Sequence, residues 1–411
     1  MKTPRLSALM MVLLAGPLAA QAPVQKTSPP VAQAWIDVAT FSGMGMPMGG
    51  GANPMAALGG LFGSGGGGGG GNAFGNTQTG MGGRYVDVTL ATRNNPALAE
   101  AQQAVPAGFM NPALKLQAPP PGGKSVPESD EEVVPQETER PRGRILMYWG
   151  CGATVRAGQP RVLDAATASA AEFGRFFQSR RATQRGAHSQ SGRPVWPSKV
   201  DTRMVPAAAS LAGEHAFSGN GVPEGFRFQI PAQYDLMPAL NLQQADNGGA
   251  TDLRWTAAPT ARAYFAAAMG AGEKEETIIW TSSELPDVGF GLLDYQTNAA
   301  VDRWLREKVL LAPSTTACTI PKGVFSGQGA MLRLIGYGNE LNLAHPPRPS
   351  DPNQPWNPQW AVKLRVKTVA LSMLGMPDMG AGGSAATDSP QAPAESKKPG
   401  ALDLLKGVLG R

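Results

Sequence analysis

The chain has 411 residues, among them 52 glycines and 37 prolines, with only 16% charged residues and a formal net charge of +5. That length leaves room for two domains, but stretches this rich in Gly and Pro supply little core. A balance this weakly basic gives no support to a nucleic-acid partner, and two cysteines set far apart do not form a structural zinc site.

Residues 1–22 read as a secretory signal peptide. Lys2 and Arg5 supply the charged start, 6–18 the apolar stretch, and Ala20-Gln21-Ala22 a small-x-small cleavage site. The apolar run is shorter than the ~20 residues a membrane span needs, so no transmembrane span is expected in the mature chain. Export would place the protein in the periplasm or outside the cell. In such an oxidising compartment Cys151 and Cys318 are candidates for one long-range disulfide, the alternative being two buried free thiols.

Within an N-terminal region, 31–116, two phrases resemble one another: WIDVATF at 35–41 and YVDVTL at 85–90. Both alternate as strands do, which predicts a β-hairpin. Between them 43–83 is Gly- and Met-rich and is expected to be a disordered insertion, since it has little to bury against its ordering entropy. It carries Met44, Met46 and Met48 as M-x-M-x-M, soft thioether ligands of the kind that suit Cu(I). A short helix is predicted over 95–105. The segment 117–142 reads as an acidic, Pro-rich linker.

A core is predicted over 143–374. It opens on a buried strand at 143–155 and continues with a helix at 164–181 capped by Asp164. Arg175, Arg180, Arg181, Arg185, Arg193 and Lys199 follow as a basic stretch, a solvated helix end or a contact for a polyanion. A strand at 226–230 leads into three more between Thr251 and Ser283. An amphipathic helix is predicted over 294–311, then strands at 331–343 and 361–369. In the last strand Val362, Leu364 and Val366 alternate with Lys363, Arg365 and Lys367, which predicts one buried and one solvated, cationic face. Residues 375–411 read as a disordered tail ending in a short helix.

Leu253, Trp255, Pro259, Ala261 and Tyr264 stand as L-x-W-x-x-x-P-x-A-x-x-Y. This segment, over about 230–283, resembles fibronectin type III-like (immunoglobulin-like) β-sandwiches. The resemblance implies that the Trp and Tyr pack between two sheets, and it implies no particular function. The fold expected is mainly β, an antiparallel sandwich-like core with one or two helices.

Signatures of chemistry are sparse. His188, His215 and His345 share no metal-ligand spacing. Glu284 and Asp287 flank Pro286, a pair that would suit glycoside hydrolysis but is also turn chemistry. Trp356 and Trp360, with Tyr337, are candidates for an aromatic platform that holds a sugar. No cofactor is implied. The expectation is an exported, non-enzymatic interaction module that binds a protein partner or a cell-surface polysaccharide. The alternatives are a carbohydrate-active hydrolase and a Met-based copper-binding protein.

Overall fold

The computed structural model describes residues 25–43, 72–79, 82–110, 113–119, 143–178, 180, 186–273, 276–325 and 329–375. The signal segment, Met44, Met46 and Met48, residues 120–142 of the acidic linker, and 376–411 lie outside the described residues. The described part is mainly β, with 42% strand and 9% helix.

The strands in chain order are β1 (Ala32–Gly43), β2 (Gly83–Thr92), β3 (Glu100–Ala104), β4 (Leu114–Gln117), β5 (Arg144–Trp149) and β6 (Arg161–Asp164). They continue with β7 (Val195–Trp196), β8 (Gly213–Gly219), β9 (Arg227–Ile230), β10 (Leu242–Asn247), β11 (Ala250–Trp255) and β12 (Ala263–Ala271). β13 (Thr277–Thr281), β14 (Ala317–Ile320), β15 (Ala330–Tyr337), β16 (Leu341–His345) and β17 (Trp360–Leu374) complete them. Three short helices are described: α1 (Asn76–Thr79), α2 (Ala170–Phe176) and α3 (Asn298–Arg306).

The two similar phrases of the N-terminal region pair antiparallel as β1 and β2, with Asp37 opposite Asp87 and Val38 opposite Val86. β1 then pairs in parallel with β17, Asp37 beside Arg365. The order of the 14-stranded sheet is β6-β5-β13-β12-β15-β17-β1-β2-β7-β4-β3-β8-β9, with β16 also on β17. A second parallel pairing, β13 with β5, makes this sheet mixed. β10, β11 and β14 form a separate three-stranded sheet.

Both faces of the large sheet are covered, and the two-residue period assigns each side chain to one of them. One face carries Ile36, Val38, Val88, Leu364, Leu334, Tyr264 and Trp280, and meets Leu253, Trp255, Cys318 and Ile320 of the smaller sheet. There the Trp255 ring meets Tyr264 edge-on, centroids 5.5 Å apart. The other face carries Phe41, Tyr85, Val369, Ile335, Phe265 and Ile279, and meets Phe176 of α2, Val301 and Trp304 of α3, and Val288 and Leu292.

This layering corrects the expected solvated face of β17. Lys363, Arg365 and Lys367 do share one face, but it lies under the helical layer, and they are 9%, 2% and 0% exposed. The alternation identifies which residues share a face and not what covers it.

Three helical expectations also change. The predicted helix at 164–181 starts later, because Asp164 ends β6 opposite Arg144 and its carboxylate accepts from the amides of Ala166 and Thr167. Ser169 is the true cap. Its hydroxyl accepts from the Glu172 amide, while the Glu172 carboxylate accepts from Ser169 N, a reciprocal capping box. α3 is shorter than 294–311 because Thr297 caps it, accepting from Ala300 N. Residues 100–104, expected in a helix, form β3. Ala101 and Gln103 point inward, and pairing to β4 and β8 overrides local propensity. The strand predicted over 331–343 divides into β15 and β16, both antiparallel to β17.

Cys151, after β5, and Cys318, on β14, are bonded, with Cα atoms 5.2 Å apart and a sequence separation of 167. The bond ties the smaller sheet to the large one. In the chain-entropy account, closing a loop of that length stabilises by about 5 kcal/mol. We expect Cys151→Ala with Cys318→Ala to lower the urea midpoint strongly, by a free energy approaching that figure. The same double variant should be insensitive to a reductant that destabilises the parent; equal midpoints for parent and variant would refute the assignment.

Candidate functional site

Two clusters of charge stand out, one inside the fold and one on its surface. The inner one lies on the helix-covered face of β2, β1, β17 and β15. Arg365 donates from Nε and Nη2 to the two oxygens of Asp37 at 2.7 and 2.6 Å, and both side chains are all but inaccessible. Such two-pronged geometry is what an Arg fork makes with a carboxylate. The Ala187 amide also donates to Asp37 Oδ2 at 3.1 Å. The chain comes so close here that a Cβ on Gly186 would overlap the Arg365 guanidinium and stand 2.7 Å from Asp37 Oδ2, so residue 186 has to be Gly.

Lys367 Nζ donates to Asp294 Oδ1 at 2.8 Å. The Tyr295 ring is held between cations, 4.4 Å from Arg365 and 4.1 Å from Lys367. Desolvation pushes the Asp294 carboxyl up, but Lys367 and Arg365 more than reverse this and bring it to about 2. Burial lowers Lys367 and Arg333, and raises Tyr295 and Tyr337 well above the usual phenol value.

Asp87 sits opposite Asp37, and among the described residues no cation pairs with it. It accepts from the amides of Gly75 and Thr77 and from the Thr77 hydroxyl, and so fastens α1 to β2. Burial raises its carboxyl to about 7. The Thr77 and Gly75 hydrogen bonds oppose the rise and the neighbouring Asp37 charge adds to it.

The surface cluster is a cleft of about 350 Å³ lined by Arg161, Arg175, Gln178, Arg180, Pro286, Asp287, Arg303, Trp304 and Glu307. Arg161 comes from the edge strand β6, Arg175 from α2, and Arg303 from α3. Phe177 stacks on Phe290 at 5.7 Å, which seats the end of α2 against the segment leading to α3. Arg180 bridges Asp287 at 2.8 Å and Glu307 at 3.1 Å. Arg161 lies over the Phe176 ring and Arg303 over Trp304, 5.4 and 5.3 Å from the centroids. Four guanidiniums therefore meet two carboxylates, and two of the four rest on aromatic faces that limit their freedom. Chemically this is a site that attracts anions.

No family model and no curated protein matches the chain. Function has to be read from these residues themselves.

The residues singled out in the sequence fall in separate places. Tyr337 is buried on the helix-covered face and donates to the Leu292 carbonyl. Trp360 is buried on the opposite face, stacked on Phe226 at 5.0 Å and on His345 at 5.5 Å. Trp356 is half-buried, donates to the Pro346 carbonyl at 2.9 Å and lies under Arg348. The three aromatics form no common surface, because the sheet itself separates Tyr337 from Trp360. Glu284 is engaged by Arg156 at 2.6 and 3.0 Å, which lowers its carboxyl, and Asp287 by Arg180. Among the described residues no group of three His, Cys, Asp or Glu side chains is placed to hold a metal ion, and no helix is long and apolar enough to cross a membrane.

The basic stretch contributes Arg175 and Arg180 to the cleft, while Arg161 and Arg303 were not foreseen, since they arrive from distant segments. The inner network left a signal that was legible: an Asp in the middle of each of two otherwise apolar strand phrases.

Asp87 gives a pH dependence with a definite sign. Its folded pKa, about 7, lies above the ordinary 3.8, so the fold favours the protonated carboxyl. That contribution is complete below about pH 4, falls as pH rises towards 7, and is constant above. A shift of this size corresponds to about 4 kcal/mol. The Asp294 contribution runs the other way but is lost only as pH falls from about 4 towards 2, outside this window. In urea unfolding at a series of pH values, the stability of the parent relative to Asp87→Asn should decline between pH 4 and 7, while buried His215, whose imidazole pKa is lowered by desolvation, contributes in the opposite sense equally in both proteins. A parallel decline in parent and variant would show that Asp87 is not its source.

Proposed function

We propose that this protein is an exported, non-enzymatic interaction module of the cell envelope or exterior, and that it binds an anionic cell-surface polymer in the arginine-lined cleft. The observation that carries the reading is the convergence of Arg161, Arg175, Arg180 and Arg303, from three separate segments, on one concave surface. Convergence of that kind is costly unless an anion compensates it, because like charges repel across a few ångströms. Arg180 is compensated internally by Asp287 and Glu307. Arg175 and Arg303 are exposed.

Export is supported by the signal-like residues 1–22 and by the Cys151–Cys318 bond, since disulfides persist mainly in oxidising compartments. The carboxylates that a hydrolase would require at this end of the fold, Glu284 and Asp287, are both engaged with arginines. A polymer suits the site because successive charged units raise the local concentration of the next one.

The test is retention of the purified mature protein on immobilised polysaccharides bearing sulfate, carboxylate or phosphate groups, and on a neutral glucan. We expect retention on at least one anionic polymer, none on the glucan, and elution by salt, as exposed charge pairs are screened within about 10 Å at 0.1 M ionic strength. Arg161→Gln, Arg175→Gln and Arg303→Gln combined should abolish retention, while Arg227→Gln, in a β9 ion pair remote in sequence and sheet order, should leave it intact. Undiminished retention of the triple variant would sink the reading.

A further inference from the structure

We infer that residues 72–79 are a pH-sensitive strap, docked on the buried carboxyl of Asp87 in acid and released from it as that carboxyl ionises towards neutral pH. The strap closes the Gly- and Met-rich insertion and contains α1. It carries no titratable side chain and only two apolar ones, Ala73 and Phe74, neither of them buried. Burial of apolar surface therefore does little to hold it. Its attachment is polar: the Gly75 and Thr77 amides donate to the two oxygens of Asp87 at 3.1 and 3.3 Å, and the Thr77 hydroxyl donates to Oδ2. The Gln78 side-chain amide, turned to donate, reaches both oxygens of Asp294 at 3.0 and 3.1 Å. At the other end Asn72, 2% exposed, donates to the Arg203 carbonyl at 2.8 Å. A segment held by a few hydrogen bonds and little apolar contact opens at lower free energy than the sheet beneath it.

The geometry makes Asp87 the sensitive point. Asp87 and Asp37 stand directly opposite one another on β2 and β1, both buried. The Arg365 fork takes the two oxygens of Asp37, while the donors that reach Asp87 among the described residues are neutral. Two facing carboxylates served by one guanidinium favour a single charge. With Asp87 neutral, its oxygens accept from the strap and its proton can go to the Thr77 hydroxyl, which accepts as well as donates. With Asp87 charged, the docked strap seals a second negative charge from water, and lifting the strap hydrates it. Of the other groups on this face, Tyr85 and Tyr295 are phenols that burial raises, and Asp294, its carboxyl at about 2, is already ionised. Lys363, Arg365 and Lys367 of β17 pair with Glu340, Asp37 and Asp294. Arg203, beside the start of the strap, pairs with Asp201. The segment over Asp37 carries His188 and Arg193, the latter lying over the Trp35 ring, and comparison with a variant at Asp87 holds both constant.

The direction follows from linkage. Burial raises the Asp87 carboxyl to about 7 in the docked state, and water admitted beneath an open strap returns it towards the ordinary 3.8. A carboxyl raised in the docked state favours docking fully below the open-state value and loses that contribution as pH rises to the docked value. The opening equilibrium therefore grows with pH, by up to about tenfold per unit, and levels off above about pH 7.

Hydrogen exchange of the intact protein tests the strap, read as protection factors so that the intrinsic pH dependence of exchange drops out. Between pH 5 and 7 the Gly75 and Thr77 amides are expected to lose protection by about tenfold or more. They should also stay less protected than the amides of β1, a strand paired on both sides. In Asp87→Asn, which keeps the shape and an acceptor of the neutral carboxyl, their protection should be level with pH. Thr77→Val, which leaves Asp87 and the sheet in place, should lower Gly75 protection about tenfold at pH 5 and keep its fall with pH. Level protection in the parent, or the same fall in parent and Asp87→Asn, would overturn the switch. Equal protection of Gly75, Thr77 and the β1 amides at every pH would overturn it too, since 72–79 would then leave only when the whole fold opens.

Discussion

The bond between Asp37 and Arg365 is the constraint on which the rest of the arrangement depends. It joins β1 and β17, from opposite ends of the described chain, and both partners lie in the interior at 1% and 2% exposure. A buried ion pair of this sort adds little net stability over a well-packed apolar pair, because desolvating the two charges is so costly. Its contribution is register. A slip of one residue between β1 and β17 would turn every charged side chain to the wrong face. A slip of two would set Asp37 against Lys363 or Lys367, which cannot make the two-pronged bond that Arg365 makes. The pair thereby selects one alignment among the few that the alternation of β17 permits.

The consequences reach the surface cleft through a single segment. Residues 285–298 carry Asp287, which holds Arg180 in the cleft, and Asp294, which holds Lys367 in the interior. Asn298 then opens α3, exchanging hydrogen bonds with the backbone of Glu340. Because Asp294 and Tyr295 are fixed by the cations of β17, the segment has little freedom in where it leaves Arg303, Trp304 and Glu307. On the other side, Gly186 and Ala187 close over the same ion pair. The cleft is thus assembled from elements whose positions are set by charges inside the fold, and a surface site inherits its precision from a buried one.

How much of this was legible in the sequence depends on the kind of information each feature required. The β1–β2 hairpin was readable because both strands carry the same phrase, and strand pairing follows from local alternation. α2 was misplaced at its start because Asp164 and Ser169 are both good caps; Ser169 is the one followed at the third position by an acid that completes the box. The covered face of β17 was not readable at all. Lys363, Arg365 and Lys367 look solvated in isolation, and only the acids at 340, 37 and 294, hundreds of residues away or in another element, explain how they are buried. The same limit applies to the cleft. Arg175 and Arg180 stand in a visible basic run, whereas Arg161 and Arg303 join them only once β6 and α3 are folded against α2.

The two clusters use arginine differently, and the contrast bears on which one meets other molecules. Inside, the charges of Arg365 and Lys367 are answered by Asp37 and Asp294 and roofed by Tyr295, leaving no approach for a ligand. At the cleft, Arg180 is matched with comparable closeness, by an Asp287 side chain that is itself 1% exposed. Arg161 and Arg303 also lie over rings that limit their freedom, and Arg161 donates to the Arg175 carbonyl. A guanidinium backed by an aromatic face is charged and held in one orientation. In the function we propose, that orientation serves the capture of an anion from solution.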